Sequence, residues 1–533
     1  TIQLNGGVRM VTLYNKVGFL RKLNQALTKT EGPNRPGSPG MKKEAPKVVD
    51  KKKQVAGKTN ANSDTTDVKP KKDYLRIIGN NLAGVFMAFK DGSINYSETN
   101  GTLLPGFKPE SGVLGNNWQV NAPGLGFIFG SQDDIRYKAV ANGWLSKDTL
   151  LNTAYLTRQT KNLTVKANLE PLHNLKIELS ADRTESFSHQ EYFKANANGD
   201  FNTTGVTERG SFSMSYIIWK TAFVKDNGDN INPTFEKMKA YRIVIANRLA
   251  ANNPNSTGIV DSTQFPVGYG PTSPDVLLPA FLAAYSGRSP ESQSLNAFPK
   301  IPIPNWRITY NGLSQIKSLK SYFSSININH AYRSTYSIGS YASNTGYGDG
   351  DYPSVLDQSG NFITKNLIDV VSISEQFVPF IGIDVTMVNS MLLKLEYKKA
   401  RNVSLSFANN QLTEISSSEF VFGLGYRFKD VKMMVSSMGT AGKKQQLKSD
   451  LTLKMDFGLR DNKTVLRRLD EAINQISTGY RQISIKTTAD YVINQKLNIR
   501  FFFDKTITNP FVSNQFYTSQ TNGGITLRFT LSQ

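Results

Sequence analysis

The sequence predicts an all-β protein, an antiparallel transmembrane β-barrel with helical insertions in its loops. Three observations carry that prediction. Apolar and polar residues alternate with period two in run after run of the second half, and several runs approach or exceed the roughly 9–11 residues that a tilted strand needs to cross a membrane. No apolar run approaches the roughly 18 residues of a spanning helix; the richest short one is Val85-Phe86-Met87-Ala88-Phe89. The closing stretch NGGITLRFTLSQ, residues 522–533, alternates Ile525, Leu527, Phe529 and Leu531 with Thr526, Arg528, Thr530 and Ser532. Within it, Asn522, Gly524, Leu527 and Phe529 fit the polar-x-Gly-x-x-apolar-x-apolar form of an outer-membrane assembly signal. Alternation alone also describes a soluble sheet with one buried face, so length and repetition decide. Sandwich strands run to about 5–6 residues. A dozen or so longer ones, apolar on one side and polar on the other, describe a membrane barrel with a wet lumen.

Composition is consistent with this and excludes several alternatives. A chain of 533 residues would usually hold several soluble domains, but barrels are exempt from that prior. Half of every spanning strand is polar, so a mean hydropathy of −0.36 does not argue against a barrel. The net charge of +21 often signals phosphate partners. Here Lys and Arg are dispersed, without the aromatic-basic platforms that grip single strands, and no nucleic-acid partner is expected. The absence of cysteine removes disulfides, thiolate metal sites and a Cys nucleophile. The chain begins at Thr1 with neither initiator Met nor signal peptide, and reads as a mature or internal fragment.

Taken in order, residues 1–29 read as a strand over 1–13 and a helix over 15–28, the latter with Val17, Leu20, Leu23 and Leu27 near helical spacing. Residues 30–72 are Gly-, Pro- and Ser-rich, then Lys-rich at Lys42, Lys43, Lys51, Lys52, Lys53, Lys69, Lys71 and Lys72. Such a stretch buries too little apolar surface to offset the entropy of ordering, which predicts a disordered loop. Residues 73–226 return to strands and Gly-rich loops. A strand over 85–99 runs on through NGTLLPGF, where Asn100-Gly101 and Pro105-Gly106 are turn signals. Leu163 to Leu169 and Leu175 to Ala181 alternate on either side of Pro171 and form a hairpin; 211–219 is a further strand.

Residues 227–304 form a helix-containing insertion. Asn232 and Pro233 look like an N-cap and first helical residue ahead of a Phe235, Met238, Tyr241, Ile245 stripe. Ser273-Pro274 opens a second helix through Leu277, Leu278, Phe281 and Tyr285. A packed excursion between strands is the plainest reading, and a folded loop domain that binds something is the alternative. Residues 305–533 are barrel strands that end in the closing strand. Leu393, Leu395, Tyr397, Val403, Leu405 and Phe407 share one parity, as do Phe420 to Phe428 and Leu451 to Leu459. The opposite parity carries Lys394, Glu396, Arg427, Lys454, Asp456, Lys486, Asp490, Arg500 and, in the last strand, Arg528, the residues expected to face the lumen. Tyr397, Phe407, Phe428 and Tyr491 suit interfacial aromatic girdles.

Signatures of catalysis are missing. His173, His189 and His330 sit alone, without a His or carboxylate at useful ligand spacing, and structural roles suit them better than ligation. There is no GxSxG elbow, though a Ser-His-Asp triad assembles from distant positions and is not excluded by that. Gly124-Leu125-Gly126 and Gly346-Tyr347-Gly348 join no strand to a helix as phosphate cradles do. Asp349, Asp351 and Asp357 depart from the EF-hand spacing, with Pro353 in the way. No enzyme, cofactor or metal site is expected.

Three stretches, SINYSETNGTLLPGF at 93–107, HAYRSTYSIGSY at 330–341 and the final GGITLRFTLSQ, together resemble the SprA/Sov family. These are the large outer-membrane translocon proteins of the type IX secretion system in Bacteroidetes, and the chain resembles the C-terminal portion of a flavobacterial member over most of 73–533. The resemblance implies a C-terminal arc of a very large barrel that passes folded cargo proteins across the outer membrane. It implies as partners a PorV-type small barrel protein at a lateral gate, a periplasmic plug protein, the secreted cargo proteins, membrane lipid and the rest of the same barrel chain. On that reading the loops 227–304 and 342–378 cap or gate the conduit. A TonB-dependent transporter or large porin has the same strand signature, and a surface β-rich adhesin is the alternative of a different class.

Overall fold

The structure is a computed structural model, and it describes residues 1–18, 21, 87–260, 262–348, 350–436, 444–471, 473–492, 497–513 and 515–529. Strand makes up 54% and helix 15%, mostly in antiparallel sheet, which puts the chain in the all-β class. No described helix is long and apolar enough to cross a membrane. The strands are β1 (Ile2–Arg9), β2 (Phe89–Leu103), β3 (Tyr155–Leu172), β4 (Leu175–Ala195), β5 (Phe201–Ser215), β6 (Asn305–Tyr310), β7 (Phe323–Ser343), β8 (Asn366–Ile368), β9 (Val370–Met387), β10 (Met391–Ser406), β11 (Gln411–Ser436), β12 (Lys444–Arg468), β13 (Asn474–Val492), β14 (Leu497–Pro510) and β15 (Thr518–Phe529). They form one meander in which sequence neighbours are spatial neighbours, with β1 and β15 at the two ends of a linear order.

Two strand positions depart from the meander: β8 pairs with the Tyr341–Ser343 end of β7 off the linear path, and β6 shares a slot with β5. β4 pairs with β6 through Leu175–Ser180 and with β5 through Arg183–Ala195. β7 likewise meets β6 first and β5 later. Thus β5 and β6 lie end to end in a single slot, and residues 216–304 leave the sheet through the gap between them. Side chains close that gap. Ser215 Oγ accepts from the Asp182 amide at 2.9 Å and from Asn305 Nδ2 at 3.2 Å, while Asn305 Oδ1 accepts from the Ser334 amide at 2.7 Å. These bonds satisfy buried backbone groups that a continuous strand would have paired.

The insertion packs back on the sheet. Asn232 caps its long helix (Pro233–Asn252), accepting from the amides of Thr234 at 2.9 Å and Phe235 at 3.4 Å. The second helix (Pro274–Ser286) is buried at every position from Val276 to Ser286, as a helix apolar on all sides must be. Its side chains meet Phe212 and Met214 of β5, Tyr336 and Ile338 of β7, Val371 and Ile373 of β9, Val403 and Leu405 of β10 and Leu412 of β11 in the main core. A smaller core around Ala139, Trp144, Leu145, Tyr155 and Phe193 ties the 104–154 loop to β3 and β4.

Several expectations need correction. The first strand stops at Arg9, and a helix occupies Met10–Lys16, so helix begins five residues ahead of the expected 15–28; the rest of that span, like 30–72, falls almost wholly outside the described residues. Asn100-Gly101 is not a turn: both residues lie inside β2, paired with Gln159 and Arg158, because a full cross-strand ladder outweighs a local turn preference. The strand expected over 211–219 runs instead from Phe201 to Ser215, and Trp219 begins a 3-10 turn. The 163–181 hairpin is present, tightly closed by Leu172 opposite Leu175, and its arms are far longer than the alternation alone marks.

Candidate functional site

The alternation of the sequence becomes geometry only through register, because a slip of one residue would turn every side chain to the other face. The observed register keeps the faces separate across the sheet. One apolar row runs Tyr310, Ile328, Ile383, Leu395, Phe422, Phe457, Ile485 from β6 to β13. A second, nearer the closing strand, runs Tyr426, Leu453, Ala489, Phe501, Ile525. Within this band Phe420, Phe428, Met455, Phe501 and Leu527 remain 42–67% exposed. These side chains form exposed apolar rows along one face of the sheet. Along β12 the band extends from Leu451 to Leu459, about 27 Å of strand, comparable with the ~25 Å apolar belt of outer-membrane barrels before tilt shortens it.

Aromatic rings mark one limit of the band. Trp306 stacks on Tyr332 at 4.5 Å between ring centroids, Tyr332 meets Phe377 at 4.8 Å, and Phe380 contacts Phe223 at 4.9 Å and Tyr397 at 6.2 Å. Tyr397 lies mid-strand, yet at the edge of the apolar rows. Phe407, just past β10, instead lines a cavity in the loops.

Beyond the rings the same face turns charged and then disappears under the insertion. Leu393, Leu395 and Tyr397 are half-buried, whereas Val403 and Leu405 on the same parity are buried beneath the helices. Two arginines hold the junction. Arg401, buried, donates to Glu375 Oε2 at 2.9 Å and to both the carbonyl and hydroxyl of Thr221 at 3.0 Å; the Tyr332 hydroxyl donates to the other Glu375 oxygen at 2.8 Å. Arg467, fully buried, reaches Asp226 at 2.9 Å, Glu414 at 3.1 Å and the Asn230 carbonyl. Lys463 adds bonds to Asp226 at 3.1 Å and Asn230 at 2.8 Å. Burial pushes the Asp226 carboxyl upward, but the Asn232 amide, Arg467 and Lys463 together hold it below the usual carboxylate range. The insertion, expected to cap the conduit, therefore packs against the face that carries the apolar band. Alternation did not reveal this clamp, although one signal was present: Glu375, Arg401, Glu414, Lys463 and Arg467 are charges on the parity that is apolar farther along the same strands.

The opposite face gathers the expected lumen residues. Asp384, Lys394, Gly423, Asp456, Lys486, Asp504 and Asn522 form a single registered row from β9 to β15. Arg427, Thr452, Asp490, Arg500 and Thr526 form another, in which Arg500 and Asp490 are ion-paired. Glu396 pairs with Lys394 at 3.3 Å and Lys398 at 3.0 Å. Lys454 stands opposite Gly425 and Thr488, and Arg528 opposite Asn498. Acid and base alternate along the first row, so the field near the wall largely cancels. Exposed pairs of this kind add little stability, about 0–1 kcal/mol each. Gly423 admits the Asp456 carboxylate, which a Cβ there would strike at 2.3 Å. Asp384 and Asp504 complete the row and were not singled out from sequence.

In β15 the assembly-signal residues divide between faces. Asn522 and Gly524 lie on the polar side, where the Phe502 ring covers Gly524, and Leu527 and Phe529 lie exposed on the apolar side. His189, read as isolated, stands between Glu191 at 3.5 Å and Glu208 at 3.3 Å, brought there by strand spacing and by pairing with β5. No group of three or more His, Cys, Asp or Glu able to hold a metal occurs among the described residues. Asp349 lies outside them, and the Asp357 side chain is engaged by the amides of Ser359 and Asn361.

No protein-family model matches the chain, and no curated protein matches it.

Proposed function

We propose that this chain is wall: an arc of an outer-membrane protein-conducting channel that exports folded cargo, as its resemblance to the type IX secretion translocon implies. One observation carries the proposal, the register-locked division of a long-stranded sheet into an apolar band and a charge-alternating polar face. The band meets lipid and the polar face lines the conduit. A lining in which Lys394, Asp456, Lys486 and Asp504 alternate stays hydrated and presents no extended patch for a passing protein to adhere to.

The linear strand order supports the arc. β1 and β15 end the sheet without pairing each other among the described residues. In lipid an unpaired backbone group costs several kcal/mol, so both edges require further strands, supplied by the rest of the same barrel chain. The loops supply an orientation. The connections 104–154, 216–304 and 344–365, with the short turns 196–200 and 407–410, lie on one side of the apolar band; the turns 173–174 and 388–390 and the 311–322 connection lie on the other, where the long chain between β1 and β2 also departs. Barrels of the outer membrane place long loops outside and short turns in the periplasm. The insertion then stands at the cell exterior, and the chain between β1 and β2 leaves on the periplasmic side. Further partners are a PorV-type small barrel at a lateral gate and a periplasmic plug protein.

The test is quantitative mass spectrometry of culture medium and periplasm with and without the gene for the whole protein. Loss of a set of secreted proteins from the medium, with accumulation inside, is the expected result. Unchanged secretion with reduced uptake of a solute would instead identify a TonB-dependent transporter or porin. Extraction of the protein by aqueous buffer without detergent would identify a surface adhesin.

A further inference from the structure

The insertion and its neighbouring loops surround a cavity of about 380 Å³. Leu278 and the rings of Phe298, Tyr347 and Phe407 line it, Asp275 lies in its wall, and Lys365 stands exposed at its rim. Asp275 is the anomaly. The Asp226 and Asp357 carboxylates of the insertion and its neighbouring loop are both satisfied by named donors, whereas Asp275 has no hydrogen bond or ion pair among the described residues. It retains partial contact with solvent and lines the cavity. Burial pushes its carboxyl up to about 6. Near neutral pH the side chain is therefore mostly ionised, in surroundings that disfavour its charge. The amino end of its own helix lessens that penalty without removing it. An anion set among aromatic walls, without a partner, is the chemistry that receives an organic cation.

We propose that this cavity binds an alkylammonium group, with the nitrogen on the Asp275 carboxylate and the aliphatic stem against Leu278, Phe298 and Phe407. The group is either a free amine or a lysine side chain presented by a polypeptide. The site does not depend on the channel reading and stands or falls separately.

The experiment is calorimetric titration of the whole protein in detergent with n-hexylammonium at pH 7.5. Saturable binding is expected, weakened about tenfold or more by Asp275→Asn, as loss of one charge-assisted contact dictates. Lys365→Ala, which removes the competing ammonium at the rim, strengthens it. Lowering the pH to 5 weakens it, because Asp275 protonates. Of the other groups facing it, burial holds Tyr269 and Tyr347 above the ordinary tyrosine range, so neither titrates in that interval, and Lys365 stands at the rim. A peptide with an acetylated amino terminus and one internal lysine separates the sources: tighter binding than hexylammonium assigns a polypeptide ligand, and weaker binding a free amine. The proposal is overturned if hexylammonium fails to saturate the protein, if n-hexanol binds equally well, or if Asp275→Asn, folded by circular dichroism, binds unchanged.

Discussion

Replacing Arg467 by Met should release the insertion from the sheet while leaving the sheet itself assembled. Arg467 is fully buried and joins three groups at once, Asp226, Glu414 and the Asn230 carbonyl. Its removal affects them unequally. Asp226 keeps Lys463 at 3.1 Å and the Asn232 amide at 2.9 Å, so its charge stays compensated. Glu414, 8% exposed, loses its ion-pair partner, and Met fills the space without replacing the donors. Breaking a buried pair from one side costs about 3–5 kcal/mol. The lower half of that range applies, because only one of the two carboxylates is orphaned. A cost of about 3 kcal/mol multiplies the population of the detached insertion more than a hundredfold. Hydrogen exchange of the assembled protein should show this as faster exchange in 226–253, with β11 to β13 unchanged. The second variant, Arg467→Met with Glu414→Leu, should recover most of the loss, since a buried pair replaced whole by apolar groups is often neutral. Equal exchange in wild type and Arg467→Met would refute the clamp, and so would loss of β12 protection together with that of the insertion.

On the proposed channel reading, Phe422→Lys places a charge in the centre of a lipid-facing band and should cost about 2–4 kcal/mol of stability, seen as loss of heat-modifiable protein from the membrane fraction. Replacing Lys454, Lys486 and Arg500 by Leu should leave assembly intact and reduce export; normal export would count against a polar conduit. Because Asp275 has its carboxyl raised to about 6 in the folded protein, the native state binds more protons than the unfolded one between about pH 4 and 6. The insertion should therefore lose stability as pH rises through that window, with Asp275→Asn flattening the profile in hydrogen exchange of 274–286. Residues 1–533 produced alone, with both sheet edges open, should aggregate; a stable heat-modifiable monomer in detergent would show that the edges close on each other.

Legibility in the sequence followed the range of each interaction. Asn232-Pro233 announced a helix start because capping is settled within four residues, and the Asn232 side chain accepts where expected. Asn100-Gly101 misled because a turn preference of the same short range was outweighed by pairing with β3, whose residues lie more than fifty positions away. His189 looked solitary because Glu208 reaches it only across strands.

By itself the sequence determined the two chemistries of each strand. Period two is a property of consecutive residues, and it assigned Lys394, Glu396, Arg427, Lys454, Asp456, Lys486, Asp490, Arg500 and Arg528 to one parity and the apolar residues to the other. Only the tertiary structure decided which strands are neighbours and at what register, and hence that Asp384, Lys394, Asp456, Lys486 and Asp504 stand in one row. It alone showed that β5 and β6 share one slot and that the insertion covers the upper part of the apolar face. The physical reason is that hydrogen bonds between strands carry no side-chain signature. Register is fixed by the packing of whole faces, and a buried arginine such as Arg401 or Arg467 has its meaning only once the chain returns to meet it.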